Sequence, residues 1–253
     1  MATDRFSVTF PEPKDSGTSQ DEECCIVELN GVKQRIRFHD YHEIYRIPGL
    51  YEYLFCDKLG CVSPEVVTGL LVDAVAKSSD SLSELDILEI GAGNGITGEL
   101  LKKQGIHTIV GIDIIPEAAE ATRRDRPAVY DDYYIADLEN LPSDTKKNLE
   151  AKDFNCLVGV GALGFGDIHP KAFASAFSFI AKDGWIAFNI KEDFLEESDK
   201  TGFSGLIGEM IEKGVLEVQV KHQYRHRFSV DRQPLHYIGI IAKKKAAIPE
   251  EML

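Results

Sequence analysis

Residues 85–101 read LDILEIGAGNGITGELL. The apolar run 85–90 stops at Gly91, Gly93 and Gly95, and an amphipathic stretch begins at Ile96. A strand, a tight bend and a helix follow from that pattern. Glycine has no Cβ, so the chain can turn sharply there and a ligand can touch the backbone. A purely steric turn needs one glycine. Three at alternate positions directly after a strand point to binding.

The rhythm continues outward from the bend. The spacing predicts a helix near 96–104 ended by Gly105, a strand at 107–113 and a helix starting at Pro116. A short strand at 132–136 ends before Asp137. A strand at 154–160 leads to a helix from Pro170 to about Lys182, ended by Gly184. WIAFNI (185–190) is a strand, and a helix occupies about 203–213. VLEVQVKHQYRHRFSV and LHYIGIIAK then stand only DRQP apart. A parallel crossover needs about a dozen residues, so this last pair must be antiparallel. The expected fold class is α/β: a doubly wound, seven-stranded, mostly parallel sheet with an antiparallel C-terminal hairpin.

Upstream, CCIVELNGVKQRIRF (24–38) reads as a β-hairpin with Asn30-Gly31 in a type I′ turn. That register sets Glu28 against Lys33 and Leu29 against Val32. HDYHEIYRIPGLYEYLF (39–55) reads as short helices broken near Pro48-Gly49, and Ser63-Pro64 starts a longer one. The expected organisation is a flexible N-terminal segment at 1–23, a hairpin and helical cap at 24–62, and a binding domain at 63–253.

The chain has 253 residues and a net charge of −14. Affinity for nucleic acid comes mainly from lysine and arginine on phosphates, so this balance argues against it. The one basic stretch, KHQYRHR (221–227), is short. The five cysteines include no CxxC pair, which suits reduced thiols in the cytoplasm rather than disulfides or zinc. No window reaches the ~18 uninterrupted apolar residues of a membrane span. His222 and His226 lie four apart on a predicted strand, roughly 13 Å, too far to share a metal ion. No metal is expected.

The nicotinamide fingerprint GxGxxG is not met, because the spacing here is GxGxG and Ile96 stands where its third glycine belongs. With an acidic residue two places before that run, Glu89-Ile90-Gly91-Ala92-Gly93-Asn94-Gly95, the chain resembles the class I S-adenosylmethionine-dependent methyltransferases. Asp113 in VGIDII, Asp137 in YYIADL and the closing hairpin extend the resemblance over about residues 64–245. It implies S-adenosylmethionine as cofactor, held by the loop 91–95 and by Gly159, with Glu89 near its amino-acid end. Asp113 would accept from the ribose hydroxyls and Ile114 would pack on the adenine. Asp137 and the Leu138 backbone would meet the edge of the base. In related enzymes an N-terminal helical piece closes over the cofactor, which makes Tyr41, Tyr45 and Arg46 candidates for that lid.

The acceptor is expected against VGVGALGFGDIHP (158–170). Neither the Asn/Asp-Pro-Pro-aromatic motif of some nitrogen methylators nor the Pro-Cys of cytosine methylators is present. Glycines around Leu163 and Phe165 suit a small-molecule acceptor. Asp167 and His169 are the titratable groups of this loop, and His169 is a candidate general base; capping of the helix at Pro170 is the plainer role for either. The expected function is methyl transfer to a small molecule. A protein methyltransferase, a non-catalytic S-adenosylmethionine-binding protein and a nicotinamide-dependent oxidoreductase are the alternatives. The oligomeric state stays open.

Overall fold

A computed structural model of the chain describes residues 6–12, 19–164, 167–195 and 202–252. The remaining positions, including most of the segment expected to be flexible and Phe165-Gly166 of the acceptor loop, lie outside the described residues.

The alternating region forms the seven strands that its pattern predicts. They are β4 (Asp86–Ile90), β5 (Thr108–Asp113), β6 (Asp132–Ile135), β7 (Cys156–Gly159), β8 (Trp185–Lys191), β9 (Leu216–Phe228) and β10 (Pro234–Lys244). Their order in the sheet is β6-β5-β4-β7-β8-β10-β9. The first five run parallel, and β10 pairs antiparallel with both β8 and β9. β4 and β7 are neighbours, so the strand order reverses between them. In sheets of this kind that reversal opens a crevice beyond the carboxyl ends of the two strands.

Helices cover both faces. α7 (Pro170–Ser178) and α8 (Phe203–Glu212) pack on one side through Phe173, Phe177, Phe203 and Met210. α3 (Ser63–Ala76) and α4 (Ile96–Lys103) cover the other with Val67, Leu71 and Leu101. Burial on both faces is why the apolar residues of β4, Ile87, Leu88 and Ile90, do not keep to alternate positions. α5 (Pro116–Asp125) follows β5, as expected. α6 (Ser143–Glu150) was not expected from the sequence: of its residues only Leu149 is buried, so it carries no apolar period. α7 stops earlier than its pattern suggests, because the Phe179 and Ile180 N–H groups turn back to the carbonyls of Ala176 and Phe177.

The N-terminal cap is a unit with its own core. β2 (Cys24–Leu29) and β3 (Val32–Arg37) form the expected hairpin, with Glu28 opposite Lys33. Asn30 and Gly31 take the positive φ values of 53° and 80° that the turn requires. Ser7–Thr9 adds a third strand, β1, beside β2, so this part of the segment expected to be flexible is paired. α1 (Tyr41–Arg46) and α2 (Leu50–Glu52) follow, the latter continued by a wider helical turn over Tyr53–Lys58. Ile36, Phe38, Ile44, Leu50 and Leu54 are buried together between sheet and helices.

Candidate functional site

A cavity of about 510 Å³ opens at the strand reversal. β4 delivers Gly91 to its wall, β5 delivers Asp113, and the turn after β6 delivers Asp137 and Leu138. The loop after β7 supplies Val160 and Gly161, and α1 supplies Tyr41 and Tyr45.

The glycine bend is held by its own chain. Gly91 has φ +60°, and a Cβ there would stand 2.6 Å from the Ala162 Cβ, so only glycine lets the two loops meet. The Gly93 carbonyl accepts from Thr122 Oγ1 at 2.7 Å and from the Tyr133 hydroxyl at 2.9 Å. The Tyr45 hydroxyl lies against Gly93, 2.6 Å from where a Cβ would be. Ala92, Gly93, Asn94 and Gly95 are therefore not on the cavity wall, contrary to expectation. Asn94 is buried and reaches Glu52 of the cap, and Gly95 turns toward Tyr130 and Arg126. Gly159 also lies off the wall, packed on Ile90 inside the sheet.

Asp113 carries out two tasks. Its Oδ2 accepts the Gly93 N–H at 2.9 Å and its Oδ1 accepts the Ile115 N–H at 3.0 Å. Burial pushes its pKa up, opposed by those two N–H bonds. Each carboxylate oxygen can take a second donor, and the side chain lines the cavity. Beside it Ile114 is 59% exposed and lies on the same wall. Asp137 accepts from the Glu139 N–H and from Asn140 Nδ2, both at 2.8 Å, and stands on the same wall. A vicinal diol beside Asp113 and a flat base over Ile114 would suit this wall, so the residues present fit a nucleoside.

Two expected contacts are replaced by others. Glu89 is buried and its carboxyl accepts from the Tyr130 hydroxyl at 2.9 Å, away from the cavity. Burial raises its pKa to about 8, against that hydrogen bond. Arg46 is the last residue of α1 and points outward, pairing with Glu43 at 3.1 Å and with Glu117 of α5 at 2.7 Å. It ties the cap to the domain rather than reaching the cavity. Tyr41, Tyr45 and Tyr51 do line it, stacked in series with centroids 6.2 and 5.1 Å apart.

On the opposite wall His169 stands just before α7 without a side-chain capping bond. Asp167 makes the more telling contact. Its carboxylate meets His39 Nδ1 at 3.2 Å. Sequence reading named Asp167 but not His39. The pair is 128 residues apart and no motif spacing joins them.

His222 and His226 have different surroundings. His222 stacks on Tyr224, whereas His226 is buried, with Nδ1 2.6 Å from Ser63 Oγ and its ring 4.1 Å from that of Tyr237. No group of histidine, cysteine and carboxylate side chains arranged to hold a metal ion occurs among the described residues.

This sheet order, with its antiparallel closing pair and its carboxylate at the end of β5, is that of the class I S-adenosylmethionine-dependent methyltransferases. Residues 65–229 match a protein family described as a methyltransferase domain, and the chain belongs to that family. No curated protein sequence matches the chain. Among solved structures it is similar to the N-methyltransferase NodS from Bradyrhizobium japonicum in complex with S-adenosyl-L-homocysteine. The two are 14% identical, with a TM-score of 0.55 over 83% of this chain and 98% of that one. A S-adenosylmethionine-dependent methyltransferase from Anabaena variabilis is 15% identical, with a TM-score of 0.52 over 83% of this chain and 96% of its own. A putative RNA methyltransferase from Pyrococcus horikoshii is 11% identical, with a TM-score of 0.51 over 74% and 83%. At these identities the shared property is the fold.

Proposed function

We propose that this chain transfers a methyl group from S-adenosylmethionine to a small molecule enclosed beneath its N-terminal cap. The observation that carries this reading is the cavity of about 510 Å³ at the strand reversal, lined by Asp113, Ile114, Asp137 and Leu138 of the sheet domain and by Tyr41 and Tyr45 of the cap. Its volume lies within the range of small-ligand sites. Asp113 would hold the ribose, Ile114 and Leu138 would flank the adenine, and Asp137 would meet its edge. The cofactor supplies a methyl group already activated on a sulfonium. The protein's part is to align an acceptor and keep water out. The stacked tyrosines of the cap serve that second role.

An acceptor covered by side chains of residues 39–51 favours a small molecule over a protein, which would need an open groove. We assign residues 24–62 as the cap and 63–253 as the catalytic domain. The described helices include no single one long and apolar enough to cross a membrane. The five cysteines are all free thiols, which suits a reducing compartment such as the cytoplasm.

Calorimetric titration with S-adenosylhomocysteine tests the cofactor half of this reading. Incubation with methyl-labelled S-adenosylmethionine and a cell extract, split by size into metabolites and proteins, tests the acceptor half. Label is expected in the metabolite fraction; label confined to proteins overturns the small-molecule assignment.

A further inference from the structure

A smaller chamber of about 50 Å³ adjoins the main cavity. The two spaces share Tyr41, Tyr51, Val160, Gly161 and Asp167, and the far side of the chamber carries Gln20, Ser63, His226, Arg227 and Tyr237. A buried polar network leads to it from Gly161. Asn189, near the end of β8, is fully buried. Its Oδ1 accepts the Gly161 N–H at 2.7 Å, which fixes the orientation of its amide. Its Nδ2 donates to Ser63 Oγ at 3.0 Å and to the Tyr224 hydroxyl at 2.8 Å. Ser63 Oγ stands 2.7 Å from that hydroxyl and 2.6 Å from His226 Nδ1.

The hydrogens of this network fix the tautomer of His226. If Nδ1 carried the ring hydrogen, it would donate to Ser63 and Ser63 to Tyr224. The Tyr224 hydrogen would then have no acceptor among the described residues. With Tyr224 donating to Ser63 and Ser63 donating to Nδ1, every group is paired. The Cys61 thiol, 3.7 Å from Nδ1, lies against the same acceptor. Burial holds the ring neutral, with its pKa well below the ordinary value. Its single hydrogen therefore sits on Nε2, which bonds no described group.

Two more polar groups of the chamber are left incomplete. Gln20 Nε2 donates to the Tyr237 hydroxyl at 2.9 Å, while Gln20 Oε1 is buried without a partner. The Tyr237 hydroxyl accepts that bond, so its own hydrogen has no acceptor among the described residues. The Tyr237 ring stacks on His226 with centroids 4.1 Å apart, which keeps the two donors together. Burial raises the Tyr237 pKa to about 12, so the hydroxyl keeps its hydrogen.

We propose that this chamber recognises a primary carboxamide on the methyl acceptor. Its carbonyl oxygen accepts from His226 Nε2–H and from the Tyr237 hydroxyl, and its NH2 donates to Gln20 Oε1. This rests on the methyltransferase reading above, which puts the methyl-accepting end of the same molecule in the main cavity.

Other groups match less of the chamber. A carboxylate has no hydrogen for Gln20 and would add a negative charge near Asp167, while Arg227 is already paired with Glu23. An ammonium has no lone pair for the two donors. A hydroxyl is a single oxygen, whereas the chamber has space for about three or four waters. The three heavy atoms of a carboxamide fill that space. The Tyr51 and Phe55 rings, with centroids 4.9 Å apart, line the way in and suit a flat body behind the amide.

Benzamide, acetophenone and benzoate are the probes. Acetophenone keeps the carbonyl and replaces the NH2 by a methyl group of similar size. Calorimetric titrations are run with and without S-adenosylhomocysteine. Wild type is expected to bind benzamide roughly 10-fold or more tighter than acetophenone or benzoate. Gln20→Met, which keeps the length and removes the acceptor, is expected to lose the preference for benzamide over acetophenone. Tyr237→Phe keeps the ring on His226 and is expected to weaken both carbonyl probes by a similar factor, with S-adenosylhomocysteine binding unchanged. Nitrogen-15 correlation spectra are expected to place the His226 hydrogen on Nε2 and to show that nitrogen shifting when benzamide is added. Equal binding of benzamide and acetophenone by wild type overturns the proposal. So does a hydrogen on Nδ1, or a preference that survives in Gln20→Met. Failure of wild type to bind S-adenosylhomocysteine would instead overturn the methyltransferase reading, and the titrations without it would still decide what the chamber recognises.

Discussion

The carboxylate of Asp113 accepts the backbone N–H of Gly93 at 2.9 Å. The residue expected to grip the ribose therefore also pins the glycine bend to the end of β5, and its loss acts on both. Hydrogen bonds to a charged group contribute about 1.5–3 kcal/mol each, so Asp113→Ala is expected to weaken S-adenosylhomocysteine binding roughly 10- to 100-fold or more. Asp113→Asn keeps one acceptor oxygen and is expected to lose less. Calorimetry distinguishes the three proteins, and equal affinities would remove Asp113 from the site.

Glu89 leads to a pH effect. Its folded-state pKa is raised by burial from 4.5 to about 8, so the folded protein holds a proton that the unfolded chain releases. The contribution to stability is fully present below about pH 4.5 and is lost as pH rises toward 8. Glu89→Gln keeps an acceptor for the Tyr130 hydroxyl and cannot ionise. Its melting temperature is expected to decline less than that of wild type over that window. Parallel declines in thermal scans across the window would show that Glu89 is not protonated in the folded state.

The sheet was legible in the sequence because its inner strands β4, β5, β7 and β8 are buried on both faces and the chain between them is punctuated by Gly105, Pro116, Pro170 and Gly184. α6 was not, because a helix that buries only Leu149 leaves no periodic trace. The site divides along a similar line. Asp113, Ile114, Asp137, Leu138 and Gly91 follow strand ends, where position in sequence fixes position in space, and all five line the cavity. Arg46 and Glu89 were expected there and found other partners, Glu117 and Tyr130, supplied by elements far along the chain. His39 was missed for the same reason. Its meaning comes from Asp167, and the cap's docking, not its local sequence, brings the two together.

That docking relies on a buried ion pair. Glu23 at the start of the hairpin meets Arg227 of β9, and its other oxygen accepts the Val230 N–H at 2.6 Å. Glu23 is fully buried and Arg227 nearly so. Removing one member of such a pair leaves the other charge uncompensated, at a cost of about 3–5 kcal/mol. Glu23→Ala is expected to lower the melting temperature by roughly 10 °C for a domain of this size. The double variant Glu23→Leu with Arg227→Met removes both charges and is expected to recover part of that loss. A single variant that melts like wild type would mean that the pair does not hold the cap.

Ile114 separates binding from folding. Most large apolar side chains here are buried in one of the cores, and truncating them would destabilise the protein. Ile114 is 59% exposed and lies on the cavity wall beside Asp113, so truncation opens no void in the core. Ile114→Ala is expected to change stability by no more than about 0.5 kcal/mol. A bound adenine would cover the side chain and remove it from water. At about 0.8 kcal/mol per buried CH2, and with only part of the side chain covered, the loss in affinity is about 1–2 kcal/mol, roughly 5- to 30-fold. Thermal melting of the free protein and calorimetric titration with S-adenosylhomocysteine measure the two effects separately. Weakened binding with an unchanged melting temperature is the expected result. Unchanged binding would move the adenine off this wall, even if Asp113 were still found to hold the ribose.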